Sequence, residues 1–197
     1  MLAVEAFISR WSYPRRDVTE AREVQVNTSS RFALVQTPRL ILRAPIPGDA
    51  ADVFAIHADP ETNRHNPSGP MQSLAEAEER VRDWVQDWVE HGLGYWCVST
   101  LTDPQVVGVS GVRVMEWSGR QVLNLYYRYA PVAWGKGYAA EVAREAVLAA
   151  GAHLPELPVV ARIRPTNASS MRVAERAGLV RQPDLDTPDH VIYAIRW

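Results

Sequence analysis

The stretch APVAWGKGYAAE, residues 130–141, decides how the rest of this chain is interpreted. Pro131 ends the strand before it, because proline has no main-chain N–H to donate to a sheet. Gly135 and Gly137 allow backbone angles that a side chain would forbid, so a bulky anion can approach the main chain. A helix is predicted next, with one apolar stripe that packs on the sheet: Ala139, Val142, Ala143, Ala146, Val147 and Ala150. Its first turn points unpaired N–H groups at the glycines, and Lys136 adds positive charge, so the loop attracts phosphate.

Several known loops place glycines around a lysine. An ordinary glycine turn with a solvated lysine explains these letters without any ligand. The Walker loop is excluded, because it needs four residues between its glycines and a hydroxyl residue after the lysine. The dinucleotide-binding fingerprint is met in letters by residues 135–140. It remains a remote alternative, since antiparallel-looking strands precede it and too little chain follows to complete a doubly wound sheet.

The composition is that of a globular protein. The chain has 197 residues, of which 47% are hydrophobic and 22% charged, and its net charge of -2 gives no electrostatic basis for binding nucleic acid or a membrane surface. Cys97 is the only cysteine, which excludes an internal disulfide and a cysteine-based zinc site. No apolar run is long enough to span a bilayer, and the N-terminus lacks the basic run of a secretory signal. We expect a cytoplasmic protein without a metal.

The pattern outside the loop predicts one α/β (α+β) domain. A capping box at Ser73-Leu74-Ala75-Glu76 opens a long helix that Gly92 ends. The strands around it have short connections, which indicates an antiparallel meander. The predicted strands are 40–44, 95–101, 106–115, 121–129, 159–164, 179–181 and 191–197, and shorter helices are predicted from Asp49 and over 169–177. Residues 1–36 show no sustained period and are predicted to be an extension or loosely docked arm.

Four segments, in order, resemble the GNAT superfamily of N-acetyltransferases and its RimJ/RimL-like branch. Residues 132–137 occupy the place of the acyl-CoA motif [RQ]-x-x-G-x-[GA], with Val132 instead of the usual arginine or glutamine. The longer form Tyr-x-x-x-Pro-x-x-Trp-Gly-Lys-Gly-Tyr-Ala-x-Glu is matched from Tyr127 to Glu141. The first strand of the branch resembles residues 37–43, and its N-x-x-S…E-x-x-G-F segment resembles residues 167–179.

This resemblance implies a single GNAT domain over residues 37–197, with a mixed, mostly antiparallel sheet and helices on both faces. It also implies transfer of an acetyl group from acetyl-CoA to a primary amine, either a protein N-terminal α-amine or a small molecule. A non-catalytic acyl-CoA sensor is the alternative. Acetyl-CoA and the amine are the implied partners, and a homodimer is left open.

In the family, the strand before the glycine loop splays from its parallel neighbour, and the pantetheine arm of acetyl-CoA inserts between them. The resemblance therefore assigns the main chain of residues 127–129 to the thioester and pantetheine, and the loop to the pyrophosphate. The implied acetyl-CoA contacts are Tyr127, Arg128, Tyr129, Val132, Ala133, Trp134, Gly135, Lys136, Gly137, Tyr138, Ala139, Asn167 and Ser170. Val132 cannot add a charged contact, so N–H groups and Lys136 would bind the anion.

Two catalytic candidates follow from the same resemblance. Many GNAT enzymes protonate the leaving thiolate with a tyrosine seven residues after the motif asparagine, where this chain has Ala174. Ser170, three residues after Asn167, is the candidate in the RimJ/RimL-like branch, although both residues also fit an ordinary helix start. Glu116 is the first candidate for the base that deprotonates the amine. His65, Asn124, Tyr126 and a water relay are weaker candidates.

Overall fold

A computed structural model describes residues 30–197 of the chain. Its sheet contains eight strands, and four α-helices cover the two faces of the sheet. The strands are β1 (Leu34–Gln36), β2 (Leu40–Arg43), β3 (Tyr95–Thr100), β4 (Gly108–Trp117), β5 (Arg120–Tyr129), β6 (Val159–Ile163), β7 (Val180–Arg181) and β8 (Val191–Ile195). The helices are α1 (Ala50–Ala58), α2 (Leu74–His91), α3 (Tyr138–His153) and α4 (Ala168–Arg176).

The sheet has the strand order β1-β2-β3-β4-β5-β6-β8-β7. All neighbouring strands are antiparallel except β5 and β6, which run parallel. The predicted mixed and mostly antiparallel GNAT fold is therefore confirmed. Ser118 and Gly119, with φ of 52° and 74°, form the tight turn between β4 and β5, as the right-handed twist of a two-residue hairpin requires.

Two layers of helices pack on the sheet. The small-residue stripe of α3, including Val142, Ala143 and Ala146, is buried in the main core with β5 and β6, and Ala174 brings α4 to the same face. On the opposite face, α1 and α2 bury Val53 and Trp84 against Tyr95 of β3. Successive residues of β5 therefore point alternately towards α3 and towards α1.

The helix ends follow the predicted capping chemistry. The Ser73 hydroxyl accepts a hydrogen bond from the Glu76 N–H at 3.2 Å, and the Glu76 carboxylate accepts one from the Gln72 N–H at 3.0 Å. A standard capping box predicts that the Glu76 carboxylate accepts from the N–H of Ser73. Here it accepts from Gln72, one residue earlier. Gly92 ends α2 with a φ of 61°, a left-handed conformation that glycine adopts without strain.

The described part of the predicted N-terminal extension belongs to the sheet. Strand β1 lies before Thr37 and pairs with β2 from Leu34↔Arg43 to Gln36↔Ile41. The Phe32 main-chain oxygen accepts a 2.7 Å hydrogen bond from the indole of the buried Trp96. Residues 30–36 are thereby attached to the domain, and residues 1–29 of the predicted extension lie outside the described residues.

Candidate active site

The two parallel strands separate soon after they meet. Strands β5 and β6 pair only at Leu123↔Val159 and Asn124↔Val160, although β5 continues to Tyr129. The Leu123 N–H points at β6, where it donates to the Pro158 oxygen at 2.8 Å. We call the region where the strands diverge, between residues 125–129 of β5 and residues 161–163 of β6, the splay.

Strand alternation decides which main-chain groups face the splay. The N–H and C=O of Tyr127 and the N–H of Tyr129 point towards the β6 side, as the N–H of Leu123 does. None of these three groups has a hydrogen-bond partner among residues 30–197. Arg128 has the opposite orientation: its main chain is directed at Val109 of β4, and its side chain lies on the α1 and α2 face. The splay therefore presents free peptide groups from Tyr127 and Tyr129, whereas Arg128 is placed to act through its guanidinium.

The glycine loop lies at the open end of the splay, between β5 and α3. Gly135 and Gly137 have φ of 74° and 77°, and a Cβ built on Gly135 would meet nothing within 4 Å. The first main-chain hydrogen bond of α3 runs from the Glu141 N–H to the Gly137 oxygen. The N–H groups of residues 135–140 consequently have no partner within the described chain. This cluster of unpaired donors at a helix N-terminus is suited to a phosphate.

The other loop residues have separate positions. Val132 is 71% exposed and Ala133 is buried. The Trp134 indole donates to the Tyr129 oxygen at 2.7 Å, which fixes the loop to the end of β5. Lys136 lies 5.9 Å from the centre of the Tyr138 ring. Lys136 is thus available for an anion at the loop, while Trp134 has a structural role that its motif position did not indicate.

Arg39 and Glu141 hold the loop in shape. The Arg39 guanidinium donates to the Glu141 carboxylate at 2.7 Å and to the Lys136 oxygen at 2.7 Å. Both residues belong to the segments that carry the family resemblance, but no local pattern indicated that they pair. The bond to Arg39 gives the Lys136 oxygen a partner, so this carbonyl does not compete for the unpaired N–H groups of the loop.

Asn167 and Ser170 lie at the start of α4. The Asn167 side chain accepts a 3.1 Å bond from the Ser170 N–H and therefore caps the helix. The Tyr127 hydroxyl donates to the Ser170 main-chain oxygen at 2.8 Å and lies 2.9 Å from the Ser170 hydroxyl. Burial raises the pKa of Tyr127 to about 12 and the bond to Ser170 partly offsets this rise, so the phenol stays protonated. Two hydroxyls therefore occur together on the α3 side of the splay.

Glu116 lies too far from the splay to serve it. It is exposed and pairs with Gln121 near the tip of the β4–β5 hairpin, whereas Tyr127 pairs with Ser110. Six residues of strand separate these positions, which corresponds to about 20 Å. His65 lies in the exposed loop before α2 and contacts the Thr166 hydroxyl at 3.2 Å. Asn124 donates to the Tyr95 hydroxyl at 2.6 Å.

A buried histidine that the sequence did not indicate contacts Tyr126. His57 Nδ1 lies 2.8 Å from the Val53 oxygen, and its Nε2 lies 2.8 Å from the Tyr126 hydroxyl. A carbonyl only accepts, so Nδ1 carries the proton and Nε2 accepts from the Tyr126 O–H. Burial, with a further contribution from Arg128, lowers the pKa of His57 to about 4. The ring is therefore neutral near pH 7, and it accepts the hydrogen bond from the Tyr126 O–H.

A cleft of about 340 Å³ opens where the loop before α2 approaches the end of β6. Its lining comprises Arg64, His65, Asn66, Pro67, Arg164, Pro165, Thr166, Pro188 and Asp189. The loop is tied to β5 through the Arg128 guanidinium, which donates to the Asn63 side-chain oxygen at 2.8 Å, and to the β6–α4 connection through His65 and Thr166. It thus bridges the mouth of the splay on the face opposite the glycine loop.

Comparison with known proteins identifies the protein family. The family model described as "Acetyltransferase (GNAT) domain" matches residues 39–180. The chain therefore belongs to the GNAT acetyltransferase family and is an acyltransferase.

Both a curated protein and solved structures are similar to this chain. The uncharacterized protein YkkB of Bacillus subtilis strain 168 is 28% identical over 150 residues, which cover 73% of this chain and 83% of YkkB. An acetyltransferase structure from Agrobacterium tumefaciens strain C58 has a TM-score of 0.71 at 21% identity and covers 93% of this chain and 100% of that one. The structure of RimL, a ribosomal L7/L12 α-N-protein acetyltransferase solved with coenzyme A, has a TM-score of 0.62 at 15% identity. The match covers 82% of this chain and 97% of RimL.

Metal-ligating clusters and membrane-spanning helices are both absent from the described part of the chain. Within residues 30–197, no group of three or more His, Cys, Asp or Glu side chains could hold a metal ion. None of the helices in this part of the chain is long and apolar enough to cross a membrane.

Cys97 is buried, and burial raises the pKa of its thiol well above the usual value. It has the inert, packed character expected of a small hydrophobic residue.

Proposed function

We propose that this protein transfers the acetyl group of acetyl-CoA directly to a primary amine. The observation that carries the proposal is the splay: unpaired peptide groups of Tyr127 and Tyr129 face a gap that leads to a second set of unpaired N–H groups at residues 135–140. An amide-containing arm that ends in a pyrophosphate complements both sets. The solved relative with coenzyme A has the same fold and supports this choice of ligand.

The hydrogen-bonding groups and the positive charge at the site fit the amides, thioester and pyrophosphate of acetyl-CoA. The Tyr127 N–H and C=O would bond the pantetheine amides, and the Tyr129 N–H would donate to the thioester oxygen as charge develops there. The N–H groups from Gly135 to Ala140 and the Lys136 ammonium would bind the pyrophosphate. Glycine at 137 leaves this face of the loop open, since the nearest atom to an added Cβ is Arg39 Nη2 at 3.6 Å.

The reaction needs few protein groups. The amine nitrogen attacks the thioester carbon, so a C–N bond forms, the C–S bond breaks and its electron pair leaves with sulfur. A hydroxyl near the sulfur assists by donating a hydrogen bond as the thiolate forms. Ser170 is our candidate, because its Oγ–H is held only by the Tyr127 oxygen and can turn towards a ligand. Tyr127, which holds the Ser170 main chain as well, positions that hydroxyl.

The amine would approach from the α1 and α2 face through the cleft. On that face lies the Tyr126 hydroxyl, which donates to His57 and accepts from the Arg128 guanidinium. An α-amino group in water has a pKa of about 7.7–8.0 and is partly neutral at pH 7, so water can remove its proton without a protein base. Glu116, at about 20 Å along the hairpin, is not part of this proposal.

An acceptor screen tests the function. Purified protein is incubated with acetyl-CoA and a panel of α-amino acids, peptides with free N-termini, lysine-containing peptides and aminoglycosides, and free CoA thiol is followed. We expect amine-dependent thiol release with at least one class and an acetylated amine by mass spectrometry. Acetyl-CoA binding without release across the panel would replace the transferase with an acyl-CoA sensor.

A further inference from the structure

Arg128 is a partly buried cation that has no acidic partner among residues 30–197. Its guanidinium donates to the Asn63 side-chain oxygen and lies 5.9 Å from the centre of the Tyr126 ring. Within residues 30–197, no carboxylate lies within ion-pair distance of it. Its hydrogen bonds to Asn63 and Tyr126 use only part of its donor capacity, and a neutral donor would suffice to hold the loop.

The two arginines that line the cleft do have acidic partners. Arg64 pairs with Glu61 at 2.5 Å, and Arg164 pairs with Asp189 at 2.6 Å. Partial removal of a charge from water costs free energy unless an opposite charge compensates for it. The positive field of Arg128 also reaches its surroundings, because it contributes to the lowered pKa of His57. A charge kept at this position without an internal partner is suited to a negative group on a ligand.

The position of Arg128 is on the side of the splay from which an acceptor would approach. Its side chain shares the α1 and α2 face with Tyr126, two residues earlier on β5. Arg162 of β6 lies on the same face, since strand residues two apart point the same way, and Val160, beside Asn124, is two residues before it. Arg128 therefore holds the base of the bridging loop through Asn63, one residue before Arg64 of the cleft.

We propose that the amine acceptor carries its own carboxylate or phosphate group and that Arg128 binds that group. This inference rests on the proposed acetyl transfer and names its acceptor class: a small primary amine with an anionic group a few bonds away. The cleft of about 340 Å³, whose lining begins one residue after Asn63, would admit an acceptor of that size on the Arg128 side of the loop. A guanidinium binds planar carboxylates and phosphates through paired N–H donors, so it would fix the orientation of the amine as well as its affinity.

Matched pairs of amines test the proposal. Each α-amino acid is compared with its carboxamide, and phosphoethanolamine with ethanolamine, by kcat/KM from thiol release. A peptide with an acidic second residue and its amide counterpart form a further pair, which separates a protein N-terminus from a small molecule. We expect the wild type to prefer the anionic member of the small-molecule pairs by about 10- to 100-fold, the range of a charge-assisted hydrogen bond.

Two variants localise the effect. Arg128→Gln removes the charge but keeps an amide donor, and it should abolish the preference by slowing the anionic amine while the neutral one changes by less than about 2-fold. Arg120→Gln is the control, because Arg120 lies on the same strand and face, about 27 Å away at eight residues. The control should keep the wild-type preference. Equal use of both members by the wild type, or equal loss for both in Arg128→Gln, would overturn the proposal.

A binding measurement keeps this inference separate from the proposed function. If no amine is acetylated, the transfer reaction fails, and calorimetry with the CoA-saturated protein still decides the role of Arg128. The probes are an N-acetylated amino acid and its carboxamide. Tighter binding of the carboxylate that is lost in Arg128→Gln supports the anion site, whereas equal binding of the two probes contradicts it. Melting curves of both variants verify that they are folded.

Discussion

His57 gives the fold a dependence on pH that can be worked out from the structure. Its ring is buried against Val53 and Tyr126, and burial followed by the charge of Arg128 lowers its pKa from 6.5 to about 4. Above pH 6.5 the imidazole is neutral in both the folded and the unfolded chain, so it does not affect stability. Between pH 6.5 and 4 the unfolded chain binds a proton that the folded chain excludes, and unfolding is favoured.

The size of the effect follows from the two pKa values. The difference between 6.5 and about 4 corresponds to about 3 kcal/mol of unfolding free energy, lost at up to about 1.4 kcal/mol per pH unit as the pH falls through this window. Below pH 4 the loss due to His57 should level off, because both states are then protonated. This is a large fraction of the typical stability of a domain.

Urea unfolding followed by tryptophan fluorescence at a series of pH values measures this loss. Other groups also titrate, so the wild type is compared with His57→Gln, whose amide can bond to both partners but does not titrate. The difference in unfolding free energy between the two proteins should change by about 3 kcal/mol from pH 7 to pH 4. Parallel curves for the two proteins over this range would refute the assignment of a buried, neutral His57.

Three further predictions concern hydroxyl groups. Ser170→Ala should lower the single-turnover rate of acetyl transfer by about 10- to 100-fold with little change in acetyl-CoA affinity, because a thiolate donor acts only as sulfur gains charge; a lower melting temperature with an unchanged rate would instead show a structural role. Tyr127→Phe should slow the same step by less than Ser170→Ala does, since it removes the 2.8 Å and 2.9 Å contacts to Ser170 but leaves the Ser170 hydroxyl in place. A larger effect than that of Ser170→Ala would make Tyr127 the donor. Ser73→Ala should reduce the unfolding free energy by about 1 kcal/mol through loss of the α2 cap, and an unchanged urea midpoint would contradict that cap.

The order of the main elements could be predicted from the sequence because each had a local signal. Alternating and apolar runs marked the strands, and Ser73 and Gly92 marked the ends of α2. Strand β1 was missed, since its three residues are stabilised by pairing with β2 rather than by their own pattern. Its neighbours, such as Phe32, pack through contacts that are distant in sequence.

The candidate site likewise has one part that the sequence indicates and one part that it does not. The glycine loop could be located from residues 132–141, because its chemistry depends on local backbone freedom and on the helix start. The partners on the acceptor side could not. His57 appears in the sequence as one histidine on an apolar helix, and Arg128 as one charged residue in a strand. Only the alternation along β5, combined with the packing of α1, brings His57, Tyr126 and Arg128 together.

Acetyl-CoA binding by a loop variant tests the central claim, that the splay and the glycine loop form the acetyl-CoA site. Gly137→Val places a side chain among the unpaired N–H groups of residues 135–140, where the pyrophosphate would lie. Gly119→Val is the matched control, because Gly119 has a similar φ of 74° and, like Gly137, no close contact below 3.6 Å to an added Cβ, but lies at the tip of the β4–β5 hairpin. Both changes carry a similar backbone strain of about 1–2 kcal/mol.

Isothermal titration calorimetry of acetyl-CoA into the wild type and both variants gives the decisive comparison, with melting curves to verify folding. We expect the wild type and Gly119→Val to bind acetyl-CoA with similar affinity and folded Gly137→Val to bind at least about 10-fold more weakly, through loss of several charge-assisted hydrogen bonds. Unchanged affinity in a folded Gly137→Val protein would contradict the assignment of this loop to the pyrophosphate.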